Sequence, residues 1–383
     1  IKRSEKMSKI TDYNMSRKPG IESDGKLYEF GPFPELGIHF PFQVYIPDKM
    51  RNNRDLIVTG RTPGEHNDET LDENIELAKA MNFSYISRGL SFKYGNPMLL
   101  PVFPRCYGIQ TTSLGYLSHH NDYHEAIDWI ERGWLNFGKE ELHRFDNLDE
   151  QLLHMIDYAL QFIKNEGYVV DERVVINGYS AAAKLASRFS ILHPTRVKAI
   201  FAGGFGGLTC LPQEEYNGWN LTYPLGISDI PHFDLEAFKK IKQYYYIGND
   251  DYNDSSLPSC KMKIDSLDED GKPIYAKDQD GNKIPLRDEE GNLILILDEN
   301  DNMTAEYGEA YYSNYQINAI NKGISDDVQE RFDIMKNIYE SLGVDATFVK
   351  YPGNHITVND NDSLYDDVFE FYEKNILNKD KIL

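Results

Sequence analysis

Residues Arg173–Phe189, with the sequence RVVINGYSAAAKLASRF, decide which fold we expect for this chain. Its β-branched start predicts a buried strand, and the residues from Ala181 onward predict a helix. The short run between them predicts a sharp strand-to-helix corner that pushes the hydroxyl of Ser180 into the open. Gly178 and Ala182 are small, as so tight a turn requires. The alternative is a plain connection in which Ser180 only caps the helix.

Composition indicates a globular protein and argues against several classes of partner. The 383 residues are 40% apolar and 13% aromatic, and this length suggests one large domain or two smaller ones. The formal net charge of −22 argues against a nucleic-acid partner and against binding to an anionic membrane. No apolar run approaches the roughly 20 residues that a membrane-spanning helix needs.

The cysteines and the first residues bear on where the protein works. Cys106, Cys210 and Cys260 are few and odd in number, which favours a reducing compartment over a disulfide framework. The run Ile1–Met7 lacks a signal-peptide apolar core and an initiator methionine. We therefore expect a cytoplasmic protein, and secretion after removal of a leader is the alternative.

Apolar patterning along the chain predicts strands that alternate with helices. This alternation predicts an α/β fold, a mostly parallel sheet with helices on both faces, in which ligand sites lie at the carboxyl ends of strands. Residues 1–37 are polar and are expected to wrap the outside. The predicted strands are 39–47, 55–59, 97–104, 174–177, 197–204, 243–248 and 345–351, and the predicted helices include 67–81, 146–166, 181–189, 309–319, 326–342 and 364–376.

Two segments interrupt this alternation within what we expect to be a single domain, residues 1–383. Residues 258–305 contain ten-residue repeats of an acidic-glycine turn and an extended run, which predict an inserted series of β-hairpins. One turn, Asp278–Asn282, hints at a calcium loop, but an EF-hand needs its glycine two positions later than Gly281. Residues 206–239 form a second, loop-rich segment with many aromatic side chains.

Candidates for a nucleophilic site lie just beyond three predicted strands. A serine hydroxyl needs a general base within hydrogen-bond reach, and the base needs a carboxylate that holds it in the right tautomer. In chain order, the candidates are Ser180, an aspartate of the cluster Asp250, Asp251 and Asp254, and finally His355. The ingredients are common, but their joint order and placement favour a catalytic role for Ser180.

This order and the corner at Ser180 resemble the α/β-hydrolase superfamily, more narrowly its esterases and polyester-depolymerase-like members. The resemblance covers residues 40–257 and 306–378, and departs from the usual pattern at Ala182, where a glycine is expected. Both unusual segments, 206–239 and 258–305, lie where this family places lids. Their aromatic side chains are then expected either to line an apolar substrate pocket or to pack a lid against the body.

The resemblance implies a role for each candidate. Ser180 would be the nucleophile, and His355 would be the general base and later the general acid. The family's acid lies in a Gly-x-x-Asp turn after a strand, which Gly248–Asp251 matches, so Asp251 is the implied acid. Asp250 and Asp254 are the alternatives.

The resemblance also implies an oxyanion hole made of two backbone N–H groups. One belongs to Ala181, directly after the serine. The other belongs to the loop after an earlier strand, where Gly60, Arg61 or Thr62 would donate; family members often carry His-Gly where this chain has Thr59-Gly60. Arg61 is also a candidate for binding an acidic substrate group, and a solvated loop arginine is the simpler alternative.

Histidines elsewhere have simpler interpretations. In His119–His124, two histidines lie one helical turn apart and hint at metal ligands, but no further partners complete such a site. We expect a polar helix entry there, and neither a metal nor an organic cofactor. His193 is expected to mark the end of the helix that begins after Ser180.

These observations favour a serine hydrolase that cleaves a small-molecule or polymeric carboxylic ester through an acyl-enzyme. A peptidase or an acyltransferase on the same three residues is the first alternative, because a fold does not set its chemistry. The second is a non-catalytic binding or interaction protein that uses the acidic repeats of 258–305 as its contact surface.

Overall fold

A computed structural model describes residues 9–18, 21–60, 70–80, 84–104, 138–253, 276–277, 283–284 and 314–377. The strands of its main sheet are β1 Lys9–Lys18, β2 Ile21–Phe30, β3 Phe42–Pro47, β4 Ile57–Thr59, β5 Met98–Pro101, β6 Val174–Tyr179, β7 Val197–Gly203, β10 Lys242–Gly248 and β13 Ala346–Tyr351. The short strands outside it are β8 Glu215–Tyr216, β9 Trp219–Asn220, β11 Ala276–Lys277 and β12 Lys283–Ile284.

In the part of the chain that the structure describes, the main sheet has nine strands in the order β1-β2-β3-β5-β4-β6-β7-β10-β13. Strands β1, β2, β3 and β5 pair antiparallel at one end of the sheet. From β5 onward, every neighbouring pair is parallel. The predicted α/β fold with a mostly parallel sheet is therefore confirmed. Because parallel strands end at one edge, the residues that follow β6, β10 and β13 lie on the same side of the sheet.

The helices alternate with these strands. Within the described ranges the longest helix is α3, Leu148–Asn165. It has the amphipathic pattern expected of it, and the apolar side chains of Leu152, Ile156, Ala159 and Ile163 are fully buried. The helices are α1 Leu71–Ala80, α2 Tyr85–Tyr94, α3 Leu148–Asn165, α4 Ala181–Leu192, α5 Leu235–Lys239, α6 Asn314–Asn318, α7 Val328–Leu342 and α8 Asp362–Asn375. A π-helical turn, Ala319–Ile324, follows α6, and 3-10 turns cover Pro34–Leu36, Lys139–Phe145, Pro194–Arg196 and Thr357–Asp360.

The N-terminal segment departs from expectation. The prediction that residues 1–37 wrap the outside was wrong for most of the described part, because β1 and β2 form a long hairpin that extends the sheet. Tyr28 and Phe30 lie two residues apart on β2, and both are buried. The ring centroid of Phe162, on α3, lies 4.8 Å from that of Tyr28 and 4.9 Å from that of Phe30. The period of two places both rings on the face that α3 covers.

Helix α2 was missed, although its ends carry recognisable signals. The hydroxyl of Ser84 accepts the N–H of Ser87 and caps the first turn. Gly95 ends the helix in the left-handed conformation, with φ of 74°. The helix is nevertheless short, and its polar and apolar residues give only weak periodicity.

The loop-rich segment 206–239 packs into the body of the protein. Leu208, Cys210, Leu211, Leu221 and Leu225 are all buried within it. Gln316 of α6 also holds the segment, since its side-chain amide donates to the carbonyl oxygens at positions 222 and 223, each at 3.0 Å. Most of its apolar side chains thus contribute to the core.

Most of the predicted insertion 258–305 lies outside the described residues. Within it, β11 and β12 pair antiparallel with Ala276 opposite Ile284, as a hairpin requires. The turn at 278–282 is outside the described residues. Every helix in the described ranges is too short or too polar to cross a lipid bilayer.

Candidate active site

Ser180 lies at the corner between β6 and α4. Its φ of 57° and ψ of −126° are uncommon for a residue with a side chain, and such a conformation costs about 1–3 kcal/mol. The N–H of Ser180 donates to the carbonyl oxygen of Gly203 on the neighbouring strand at 2.9 Å. This contact secures the corner at the carboxyl edge of the sheet, with Ser180 half-buried.

Small residues make the corner possible. A Cβ atom on Gly178 would lie 2.0 Å from the carbonyl oxygen of Ala182, a distance that no side chain can adopt. Ala182 is completely buried. The predicted sharp strand-to-helix corner is therefore present, with glycine required at 178 by close approach of the backbone.

The imidazole of His355 contacts both of the other candidate groups. Its Nε2 lies 3.2 Å from Oγ of Ser180. Its Nδ1 lies 3.0 and 3.2 Å from the two carboxylate oxygens of Asp251. With a proton on Nδ1, the ring donates to the carboxylate and leaves Nε2 to accept the hydroxyl proton of Ser180.

The loop that carries Asp251 is attached to the strand that precedes His355. Past the end of β10, the N–H groups of Asn249 and Asp250 donate to the carbonyl oxygens of Tyr351 and Gly353 at 2.7 and 3.0 Å. A Cβ atom on Gly248 would lie only 2.3 Å from the Gly353 carbonyl oxygen, so this approach requires glycine. Backbone contacts thus hold the turn Gly248–Asp251 against the loop that follows β13 and carries His355, which we call the histidine loop.

Of the two candidate acids that the structure describes, Asp250 and Asp251, it is Asp251 that contacts His355. Its side chain is buried, whereas the side chain of Asp250 is exposed. Asp254 lies outside the described residues. Burial matters here because a carboxylate shielded from water interacts more strongly with the imidazole.

Ser180, Asp251 and His355 follow β6, β10 and β13, three parallel strands of the sheet with β7 between β6 and β10, in the chain order serine, acid, histidine. The chain has the α/β-hydrolase fold. No family model and no curated protein matches the sequence.

Several solved structures are similar to this chain at low identity. A poly(3-hydroxybutyrate) depolymerase from Bordetella parapertussis is 11% identical with a TM-score of 0.43, over 94% of this chain and 92% of that one. An S-formylglutathione hydrolase from Agrobacterium tumefaciens is 10% identical with a TM-score of 0.36, over 92% and 96%. An acylaminoacyl peptidase from Pyrococcus horikoshii is 11% identical with a TM-score of 0.38, and the match spans 99% of this chain but 44% of that one.

The candidate oxyanion donors differ in their availability. Ala181 opens α4, so its N–H belongs to the first helical turn, where backbone donors have no partner within the helix. The N–H of Gly60 instead donates to the carbonyl oxygen of Asn177 at 3.0 Å. Gly60 is therefore engaged in the sheet, and the remaining candidates, Arg61 and Thr62, lie outside the described residues.

Two residues that support the site were missed at the level of sequence. The side-chain amide of Gln329, on α7, donates to the carbonyl oxygens of Gly248 and Asp251, each at 2.8 Å. The hydroxyl of Tyr179, next to the serine, donates to the carbonyl oxygen of His355. Only the position of Tyr179 beside Ser180 could have drawn attention to it, and nothing in the sequence marks Gln329.

The run His119–His124, where we expect a polar helix entry rather than a metal site, lies outside the described residues. Within the described ranges, Asp149, Glu150 and His193 form a group whose candidate ligand atoms lie within 4.8 Å of one another. His193 directly follows α4, as predicted, and its Nε2 lies 3.0 Å from Oδ2 of Asp149. This contact ties the end of α4 to the first turn of α3.

Proposed function

We propose that this protein is a serine hydrolase that cleaves a carboxylic ester through an acyl-enzyme, with Ser180, His355 and Asp251 as the catalytic residues. The observation that carries the proposal is the continuous line of contacts from the Ser180 hydroxyl through the imidazole to the buried carboxylate of Asp251. A serine hydroxyl becomes nucleophilic at neutral pH only with such a base beside it.

In the acylation step, Oγ of Ser180 attacks the carbonyl carbon of the ester, and Nε2 of His355 takes the hydroxyl proton. The carbonyl oxygen becomes negatively charged in the tetrahedral intermediate. When the intermediate collapses, the carbon–oxygen bond to the alcohol breaks and the imidazolium returns the proton to the leaving oxygen. Asp251 stabilises the transient imidazolium, whose ring it contacts.

In the deacylation step, the same groups act on water. His355 takes a proton from a water molecule, which attacks the acyl carbon attached to Ser180. Collapse releases the carboxylic acid and returns the proton to the serine oxygen. The sequence of steps consumes one water per ester and needs only groups of the chain.

The oxyanion is stabilised at the start of α4. The N–H of Ala181 is one donor, and the positive end of the helix adds to its effect. We assign the second donor to the loop after β4, with Arg61 as the first choice because Gly60 donates to Asn177 instead. Loss of one oxyanion donor typically lowers kcat by about 10²–10³-fold.

Labelling with a fluorophosphonate probe tests the proposal, followed by location of the adduct by mass spectrometry. We expect the adduct on Ser180, and no labelling of the Ser180→Ala and His355→Ala variants. Ser341→Ala is the matched control, because Ser341 is an exposed serine near the end of α7. Absence of labelling throughout the range of about pH 6–9, in which an imidazole base operates, would contradict the proposal.

The bond that is cleaved is tested with matched substrates. We expect hydrolysis of p-nitrophenyl esters of increasing acyl length, and much slower hydrolysis of the corresponding p-nitroanilides. Faster cleavage of aminoacyl anilides would favour a peptidase instead. Preferential transfer of the acyl group to an added alcohol, at the expense of water, would favour an acyltransferase.

A further inference from the structure

Two tyrosine rings are stacked beside the candidate active site. Tyr179 is the last residue of β6 and directly precedes Ser180, while Tyr246 lies on β10, the strand that leads to Asp251. Their ring centroids are 5.9 Å apart with an angle of 27° between the planes. The pair therefore joins the strand of the nucleophile to the strand of the acid.

Both hydroxyls reach the loop that carries His355. The Tyr179 hydroxyl donates to the carbonyl oxygen of His355 itself, and the ring centroid of Tyr179 lies 5.2 Å from that of the imidazole. The Tyr246 hydroxyl donates to Oδ1 of Asn359 at 3.3 Å. The two tyrosines therefore hold the loop at two points, the carbonyl oxygen of His355 and the side chain of Asn359.

The end of β7 leaves room for this pair of rings. A Cβ atom on Gly203 would lie 2.2 Å from the ring of Tyr246, and one on Gly204 would lie 2.5 Å from the ring of Tyr179. Gly204 also has a positive φ of 62°. Two successive glycines are thus required to bring both aromatic rings under the histidine loop.

The histidine loop needs such support. His355 lies between Gly353, with φ of 119°, and Ile356, whose side chain is 77% exposed. Its imidazole nevertheless has to meet two partners at once, Ser180 on one nitrogen and Asp251 on the other. Small errors in the placement of a catalytic group cost a large part of the rate.

We propose that Tyr179 is a positioning residue that holds the imidazole of His355 in line with both Ser180 and Asp251. This inference rests on the proposed function. Tyr246 supports the same loop one step further from the ring, through Asn359. Strand β6, which leads to the nucleophile Ser180, would therefore also orient the general base His355, through Tyr179.

The hydroxyl of Tyr179 remains a donor under all conditions in which the enzyme would work. Burial raises the pKa of Tyr179 far above its usual value of about 10, and the negative charge of Asp251 raises that pKa further. The hydrogen bond to the His355 carbonyl oxygen is thus insensitive to pH over the range in which an imidazole base acts.

The Tyr179→Phe variant tests the inference, because phenylalanine keeps the stacked ring and removes only the hydroxyl. We expect kcat for a p-nitrophenyl ester to fall about three- to tenfold, with KM within about twofold of the parent value. The rate of fluorophosphonate labelling should fall by a similar factor, since it uses the same attack by Ser180. Tyr246→Phe should lower both rates by less.

Tyr339→Phe is the matched control. Tyr339, on α7, is fully buried, and its hydroxyl lies 3.5 Å from that of Tyr245 in the core. If Tyr179→Phe lowers both rates no more than this control, or raises KM without lowering kcat, the inference is wrong. Should Tyr179→Phe fail to fold, Tyr246→Phe decides, and an unchanged kcat in that variant overturns the inference.

Assays of the parent protein distinguish a failure of the proposed function from a failure of the inference about Tyr179. If the parent neither labels nor hydrolyses esters, the proposed function fails and the inference fails with it. If the parent is active and both tyrosine variants match it, the inference alone fails.

Discussion

The backbone of Gly60 lies directly against the methyl group of Ala182. A Cβ atom on Gly60 would come within 2.7 Å of the Ala182 Cβ and 3.2 Å of its Cα. The α/β-hydrolase pattern has glycine at the position of Ala182, and here the missing side chain of Gly60 makes room for the extra methyl. The corner at Ser180 is therefore fitted to Gly60, the residue that directly follows β4.

Filling this contact should damage the protein. We expect Ala182→Val and Gly60→Ala each to lower the free energy of unfolding by about 1–3 kcal/mol and to reduce kcat, because an overpacked core displaces its neighbours. Urea denaturation and ester hydrolysis measure the two effects. In the double variant Gly60→Ala with Ala182→Gly, the loss should be smaller than with Gly60→Ala alone, since one of the two colliding methyls is gone. An Ala182→Val variant that behaves like the parent would show that this description of the corner is wrong.

The identity of the acid is the second prediction. Asp251→Asn should lower kcat by about 10³–10⁴-fold with little change in stability, because an amide no longer holds the imidazole in the productive tautomer. Asp250→Asn is the control, since its side chain is exposed, and it should stay within about twofold of the parent. Asp254→Asn completes the comparison. A larger loss at position 250 or 254 than at 251 would reassign the acid.

The third prediction is that the side chain of Gln329 stabilises the turn Gly248–Asp251. Gln329→Ala leaves the carbonyl oxygens of Gly248 and Asp251 without their side-chain donor. We expect the free energy of unfolding to fall by about 1–2 kcal/mol and kcat to fall several-fold, because the loop that orients His355 loosens. Gln161→Ala, on the exposed face of α3, should change neither quantity. An unchanged kcat in Gln329→Ala would mean that the backbone contacts suffice to hold Asp251.

The reactivity of Cys210 is the fourth prediction. Its thiol is fully buried, and burial raises the pKa of the thiol to about 12. Because a raised pKa keeps the thiol protonated, the thiolate that reacts with iodoacetamide is scarce at about pH 8. We expect Cys210 to remain unmodified in the native protein and to be alkylated once urea unfolds it, as read by peptide mass spectrometry. Rapid alkylation of Cys210 without urea would contradict the packing of 206–239 into the body.

Much of the fold could be predicted because its signals are local. The β-branched run at Val174–Ile176, the small residues around Ser180 and the apolar stripe of α3 each report structure within a few neighbours. The β1–β2 hairpin was missed because its sequence is mostly polar, and the burial of Tyr28 and Phe30 makes sense only once Phe162 of α3 packs against them. The order of the site residues along the chain was readable for the same local reason, as each follows a strand.

By itself the sequence determined a serine on a tight corner, and an acid cluster and a histidine at later strand ends. Tertiary structure alone decided that Asp251 meets His355, that Gly60 accommodates Ala182, and that Tyr179 and Gln329 support the site. Tyr179 and His355 are 176 residues apart, and Gln329 and Asp251 are 78 apart. Contacts of that kind depend on the order and register of the strands and on the close packing of their loops, which no local pattern of residue types encodes.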